Sequence, residues 1–339
     1  MIELVKELSL INGVSGMEND VANAIMTRLK GKCELKIDNV GNVIAFKKGK
    51  KTPKNKIMLS AHMDEIGFMV RYIEDNGFIR FTTCGDIDPR VVVGRAVVIG
   101  KNKVVGVIGT KAMHVKTADE RSKTYEFKDL YIDIGAKDKA EAEKYVKLSD
   151  RATFRCDFVE FGEDLVRCKA IDNRAGCAVL INLIENFDEY DVNYAFTVQE
   201  ETGCMGGRVA ANTINPDIAV IVETTEAGDI PGTSEDKVMC KLGGGPVIYF
   251  KDKATIYNHE LYTFFVDKAE EFKMPCQIKA GVEGKNESRL VQVSNGGIKV
   301  AAVSIPCRYL HSASCTMKKE DLNNTYELLQ KMLSPLAEF

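Results

Sequence analysis

Near the middle of the chain the run Tyr194-Ala195-Phe196-Thr197-Val198-Gln199 ends in two adjacent acids, Glu200 and Glu201, followed by Thr202 and Gly203. Neighbours on an extended strand point to opposite faces, and like charges side by side resist ionising together. The pair is therefore either a solvated turn or two carboxylates with separate tasks. Other chemistry-bearing residues fall at comparable places. The chain has four histidines. His62 follows the apolar run Ile57–Ala61, and His311 lies just past Val300–Leu310. Asp172 follows Val166–Ile171, and Glu223 follows Ile218–Val222. Imidazole nitrogen with carboxylate oxygen suits zinc, cobalt or manganese. Two histidines and three acids are enough for two divalent ions with one shared carboxylate. Asp64, two residues beyond His62, lies on the same face of an extended segment. There it can accept the second imidazole N–H and fix the ring.

Each residue has a plainer reading. A histidine beside a strand is more often a hydrogen-bonded core or surface residue. Asp172 ahead of a helix reads as an N-cap, and an acidic pair at a strand end is usually solvated. Five such residues at the carboxyl ends of five strands are harder to dismiss, because ligands of open α/β sheets collect there. The remaining histidines, His114 and His259, read as structural or surface residues. Gly243-Gly244-Gly245-Pro246 lacks the Gly-Lys-Ser/Thr signature of a phosphate loop and reads as a turn.

The elements that would position these side chains follow from periodicity. Ile2–Ile11 has helical spacing. Ser15-Gly16-Met17-Glu18 matches a capping box and predicts a second helix to about Leu29. Lys36–Gly49 reads as a hairpin, and Lys56–Ala61 as a buried strand running into His62. From Gly67 to Asp164 short β-rich runs alternate with Gly and Asp turns, which predicts a small barrel or sandwich interrupted by one helix over 139–146. Beyond Asp164 strands and helices alternate again, with an amphipathic helix over 173–187 and a closing helix over 319–333. The expected fold is α/β: a mixed-sheet domain of residues 1–66 with 165–339, and an inserted β-rich domain, 67–164.

Composition bounds the function. The 339 residues are 45% hydrophobic and 28% charged, with a net charge of −3, an ordinary globular balance. No basic footprint argues for nucleic acid or an anionic membrane as a partner. No run of about 18 apolar residues predicts a transmembrane helix, and the N-terminus lacks the apolar core of a signal peptide; a cytoplasmic location is expected. The ten cysteines are scattered without a Cys-x-x-Cys. They read as reduced thiols, not as a disulfide framework or a thiolate zinc site.

Five stretches, SAHMDEIGFMV, KAIDNRAGCAVL, FTVQEETGCMGG, VETTEAGDIPG and VSIPCRYLHS, together resemble the M42 family of metallo-aminopeptidases, some of which carry an endoglucanase label. The resemblance runs nearly end to end. It implies a zinc-exopeptidase type of fold and two divalent metals per subunit, zinc first, with cobalt or manganese as alternatives. It implies His62 and Glu223 on one metal, Asp172 bridging, and Glu201 and His311 on the other. Glu200 would be the general base, and Asp64 would orient His62. Short peptides would be the substrates. The insert would serve dimerisation, and dimers would assemble into a tetrahedral dodecamer.

Three positions depart from the expected pattern: Glu223 where Asp is expected, Glu226 where His is expected, and Asn286-Glu287 where Thr-Asp is expected. The last pair is expected near the substrate, with Glu287 influencing selectivity. Rival chemistries are a glycoside hydrolase, which needs two carboxylates and no metal, and a metal-dependent deacylase or carboxypeptidase.

Overall fold

The computed structural model describes residues 1–339. Helices α1 (Ile2–Leu10) and α2 (Asn19–Leu29) open the chain, followed by a hairpin of β1 (Glu34–Ile37) and β2 (Val43–Lys47) and by β3 (Ile57–His62). Then come β4 (Gly67–Ile73), β5 (Ile79–Cys84), β6 (Ala96–Ile99), β7 (Val104–Thr110), β8 (Leu130–Asp133) and β9 (Arg151–Phe154). Two short helices, α3 (Ala118–Ser122) and α4 (Lys139–Ala142), lie among them. These six strands close into an antiparallel barrel in the order β4-β5-β8-β7-β6-β9. Its interior is packed with aliphatic side chains around Phe68, whose ring meets Phe81 and Phe154 edge to face at 5.0 and 5.4 Å.

The rest of the chain supplies β10 (Val159–Phe161), β11 (Leu165–Cys168), β12 (Val192–Thr197), β13 (Ile218–Glu226), β14 (Val247–Ile248), β15 (Gln277–Ile278), β16 (Lys299–Arg308) and β17 (Cys315–Lys318). Its helices are α5 (Ile171–Asn186), α6 (Met205–Ile214), α7 (His259–Glu271), α8 (Ser288–Val291) and α9 (Lys319–Ala337). With β1 to β3 these strands form one mixed sheet in the order β1-β2-β12-β3-β13-β16-β17-β11-β10, with β14 and β15 joined to β16. Strands β12, β3, β13 and β16 are mutually parallel. Strand β11 is antiparallel to β17, which is antiparallel to β16, so it runs the same way as the four. Five carboxyl ends therefore share one edge of the sheet.

Both faces of the sheet are covered, which is why β3 reads as an unbroken buried run. Its alternate residues Ile57, Leu59 and Ala61 enter the core beneath α1, α2, α5 and α9, while Met58 faces α6 and α8 on the other side.

Three local expectations change. Helix α5 is buried on nearly every side, not amphipathic, because it is wedged between the sheet and both α1 and α9. Its regular turns begin only after Asp172 and Asn173, whose backbones are non-helical; the peptide bond joining them is cis. The inserted helix ends at Ala142 instead of residue 146. The Ser15–Glu18 capping box does not form: α2 starts at Asn19 without a side-chain cap. The Ser15 hydroxyl instead donates to Asp64, and the Glu18 carboxylate accepts the N–H groups of Gly16 and Gln199.

Candidate active site

The shared edge brings five of the sequence-selected residues into two overlapping triads. His62, Asp172 and Glu223 have ligand atoms within 4.8 Å of one another, and so do Asp172, Glu201 and His311. Asp172 belongs to both. His62 Nε2 stands 3.3 Å from Asp172 Oδ1 and 3.3 Å from Glu223 Oε1. His311 Nε2 stands 3.4 Å from Asp172 Oδ2 and 3.3 Å from Glu201 Oε2. Glu223 lies within β13, three residues short of its end. The other four come from the ends of β3 and from the loops after β11, β12 and β16.

Each imidazole is turned by a bond to its other nitrogen. His62 Nδ1 lies 3.2 Å from the Asp64 carbonyl and 3.3 Å from Asp64 Oδ1. His311 Nδ1 donates to the carbonyl of Asp86 at 2.7 Å, on the loop that follows β5 of the barrel. Nε2 thus faces the acids in both rings, the arrangement by which a histidine ligand is fixed in tautomer and direction.

Asp64 reaches further than its ring contact. Its carboxylate accepts the backbone N–H groups of Glu200 and Glu201 at 3.0 and 3.1 Å and the Ser15 hydroxyl at 2.6 Å. One buried acid therefore ties the first histidine to the turn that carries the two glutamates. Glu18 braces that turn from the other side through Gln199, which has a left-handed backbone, φ 54°. Cys204 Sγ donates to Glu200 Oε1 at 3.0 Å. Glu226 accepts the N–H groups of Tyr309 and Leu310 at 3.3 and 3.1 Å, fixing the loop that presents His311.

The electrostatics are those of anions packed around an incomplete set of positive charges. Burial raises the Glu200 and Glu201 pKa values to about 8 and that of Glu223 to about 7. For His62 burial disfavours the charged ring, yet the Glu223, Asp172 and Asp64 carboxylates outweigh it and raise the pKa. His311 behaves alike, reaching about 10 through Glu201 and Asp172 against burial. Asp172 falls well below the ordinary range: burial opposes ionisation, but His311 and His62 prevail.

The donor set fits a divalent cation. Glu201 Oε1 is buried without any hydrogen-bond partner, an arrangement that is costly unless a positive charge meets it. Two imidazoles with carboxylate oxygens are the donors that zinc, cobalt and manganese accept.

A model of the M42 glutamyl aminopeptidase family matches residues 41–328. The chain belongs to that family. It is accordingly a hydrolase of the aminopeptidase class. A protein of Acetivibrio thermocellus, provisionally named as an aminopeptidase, is 40% identical over 97% of both chains. The solved TET1 peptidase of Pyrococcus horikoshii, described as assembling into a tetrahedron or a large octahedral shell, is 33% identical. The alignment covers 98% of each chain with a TM-score of 0.86. A solved Thermotoga maritima protein named endoglucanase is 34% identical, covering 98% of this chain and 97% of that one, with a TM-score of 0.81.

Asn286 and Glu287, expected near the substrate, are both buried. Glu287 is fully buried, and its carboxylate accepts the hydroxyls of Ser60 and Thr197 inside the sheet–helix layer. Asn286 is buried against the Tyr257 hydroxyl. The loop turns inward because α8 begins there and packs on α6, where Gly207 leaves room for the Glu287 side chain. Sequence reading also missed the residues that hold the ligands in place. Ser15, Glu18 and Asp86 carried no signal beyond local turn chemistry. Glu65, next to Asp64 in the chain, and Lys169, a buried ion pair at 2.7 Å, had none.

Proposed function

We propose that the protein is a two-metal aminopeptidase that removes N-terminal residues from short peptides. The observation that carries this reading is the pair of triads sharing Asp172, with Glu200 beside them and outside both sets. His62 and Glu223 would hold one ion, Glu201 and His311 the other, with Asp172 between them. When bound, two divalent ions lower the pKa of a water and polarise the scissile carbonyl.

The protein's own groups do the rest. Glu200 is the general base: it takes the proton of the attacking water and returns it to the leaving amine. The Cys204 thiol keeps one of its oxygens aimed, and Asp64 sets the turn so that Glu200 and Glu201 serve different partners. This division of labour accounts for two adjacent acids at the end of a buried strand. The positive charge of the ions makes ionisation of Glu201 favourable; the neighbouring Glu200 is left free to exchange protons.

The six-stranded barrel is proposed as the assembly unit, dividing the chain into residues 67–164 and the surrounding α/β part. Tyr72, Val105, Val107, Met113 and Leu148 on it are exposed, more large apolar side chains than a solvated insert needs. With the likeness to a shell-forming peptidase this supports a homo-oligomer built from dimers, the dodecamer included. No helix is long and apolar enough to cross a membrane.

The test is hydrolysis of aminoacyl-p-nitroanilides bearing Glu, Asp, Leu, Ala, Lys and Arg by metal-stripped protein, before and after zinc, cobalt or manganese is added. Cleavage restored by metal and abolished by blocking the substrate's N-terminus is expected. Cleavage of blocked substrates would point to a deacylase or carboxypeptidase. Glucan hydrolysis indifferent to chelation would overturn the reading in favour of a glycosidase.

A further inference from the structure

Behind the site, where the N-terminal segment meets the barrel, lies a cavity of about 1170 Å³ separate from the two triads. Six cations, Lys101, Lys103, Lys147, Arg151, Arg155 and Lys169, line it against two acids, Asp20 and Asp150. One thiol also lines it: Cys156, which is half-buried. Its sulfur stands 3.8 Å from that of Cys168, which is fully buried at the end of β11. Neither cysteine has a part in the peptidase chemistry.

The surroundings favour a thiolate at Cys156. The Cys168 sulfur lies within hydrogen-bond reach of it, and the backbone N–H of Lys169 donates to it at 3.2 Å. The bond from Cys168 and the nearby lysine together hold the Cys156 thiol below its ordinary range despite burial, while Cys168 is pushed up. A thiolate facing a cavity, with a second sulfur directly behind it, is the layout of an attacking cysteine and its resolving partner. Two other cysteines lie nearby: Cys315 sits opposite Cys168 across the β11–β17 ladder, and Cys307 neighbours Cys315. Both are buried and line no part of the cavity, so an oxidant entering there meets Cys156 first.

We infer that Cys156 and Cys168 form a reversible thiol–disulfide site, closed by a small hydroperoxide that enters the cationic cavity, and that closing it switches the peptidase off. The Cys156 thiolate attacks one peroxide oxygen; the O–O bond breaks, an S–O bond forms, and the other oxygen leaves as hydroxide, protonated to water. The Cys168 sulfur then attacks the Cys156 sulfur; the S–O bond breaks, and the second oxygen leaves as water with the Cys168 proton. Two thiols lose two electrons and one peroxide gains them.

The link to the active site is short. Closing the bond draws two sulfurs 3.8 Å apart to about 2.05 Å. The chain that moves leads directly through Lys169, whose ammonium grips Glu65 beside Asp64, and through Ala170 to Asp172, the residue shared by both triads. A displacement of about 1 Å at such a residue costs on the order of 100-fold in rate.

The test is titration of the full-length, metal-loaded protein with hydrogen peroxide, followed by alkylation, peptide mass mapping and peptidase assay. The expected product is a Cys156–Cys168 crosslink with the loss of two hydrogens in mass. Activity should fall on the order of 100-fold and recover with dithiothreitol. In Cys168→Ser the crosslink is absent and Cys156 advances to sulfinic acid, which dithiothreitol does not reverse. Crosslinking of Cys168 to Cys315, or Cys156 left reduced, would overturn the site. A Cys156–Cys168 crosslink with undiminished activity would overturn the switch. The mapping reads wild-type protein and needs neither a folded variant nor the peptidase reading; only the activity arm rests on that reading.

Discussion

The two triads share Asp172 but are built differently. The His62 triad is interior. Its histidine is 2% exposed, and β3 and β13 of one sheet carry two of its three members. The His311 triad is at the rim. Its histidine is 34% exposed, stands on a loop with left-handed backbone at Tyr309 and His311, and is turned by Asp86 from the barrel. One half-site is thus part of the core of the fold, while the other exists only when the barrel and two loops are in place. The comparison teaches that stability and metal binding should separate between the halves: the inner one is coupled to folding, the outer one to loop position.

The largest effect should come from the residue common to both. Asp172→Ala is expected to lose both metals and fall to background hydrolysis, checked by elemental analysis beside the anilide assay. Retention of one full equivalent of metal would break the idea of a shared ligand. Next is Glu200→Gln, which should lower kcat by about 10²- to 10⁴-fold with metal content unchanged.

The contrast itself is sharpened by paired substitutions. His62→Ala leaves the buried Asp64 and Glu223 and the half-buried Asp172 around a missing partner. Breaking a buried pair costs about 3–5 kcal/mol, to be read by urea unfolding of metal-free protein. His311→Ala, whose ring is partly solvated at the rim, should cost less than His62→Ala while still abolishing activity. Equal losses for the two would erase the distinction. Glu226→Ala frees the N–H groups of Tyr309 and Leu310 and should weaken only the outer metal, by about tenfold. The smallest effect is predicted for Glu287→Gln: the ranking of aminoacyl substrates should not change, because its carboxylate faces Ser60 and Thr197 instead of the substrate side.

The inner half-site was legible in the sequence because the sheet imposes it. Buried runs ending in His, Asp and Glu signal carboxyl ends whatever the rest of the fold does, and the parallel order of β12, β3, β13 and β16 then gathers them. The barrel was legible too, from strand spacing, although its closure was not. What escaped were contacts between distant segments. Ser15 and Glu18 have a local motif that satisfies a helix start just as well, and only the tertiary approach of Asp64 and Gln199 redirects them. Asp86 acts through its backbone carbonyl, which no residue type announces. The burial of Glu287 was not legible because adjacency to a suspected site says nothing about which way a loop turns; packing of α8 against α6 decided that.

The most direct test of the two-site account is the metal stoichiometry of metal-stripped wild-type protein after equilibrium dialysis against zinc, with His311→Ala in parallel. Two ions per chain in the wild type and one in the variant are predicted. A single ion in the wild type, undiminished by His311→Ala, would contradict a site built from two triads around Asp172.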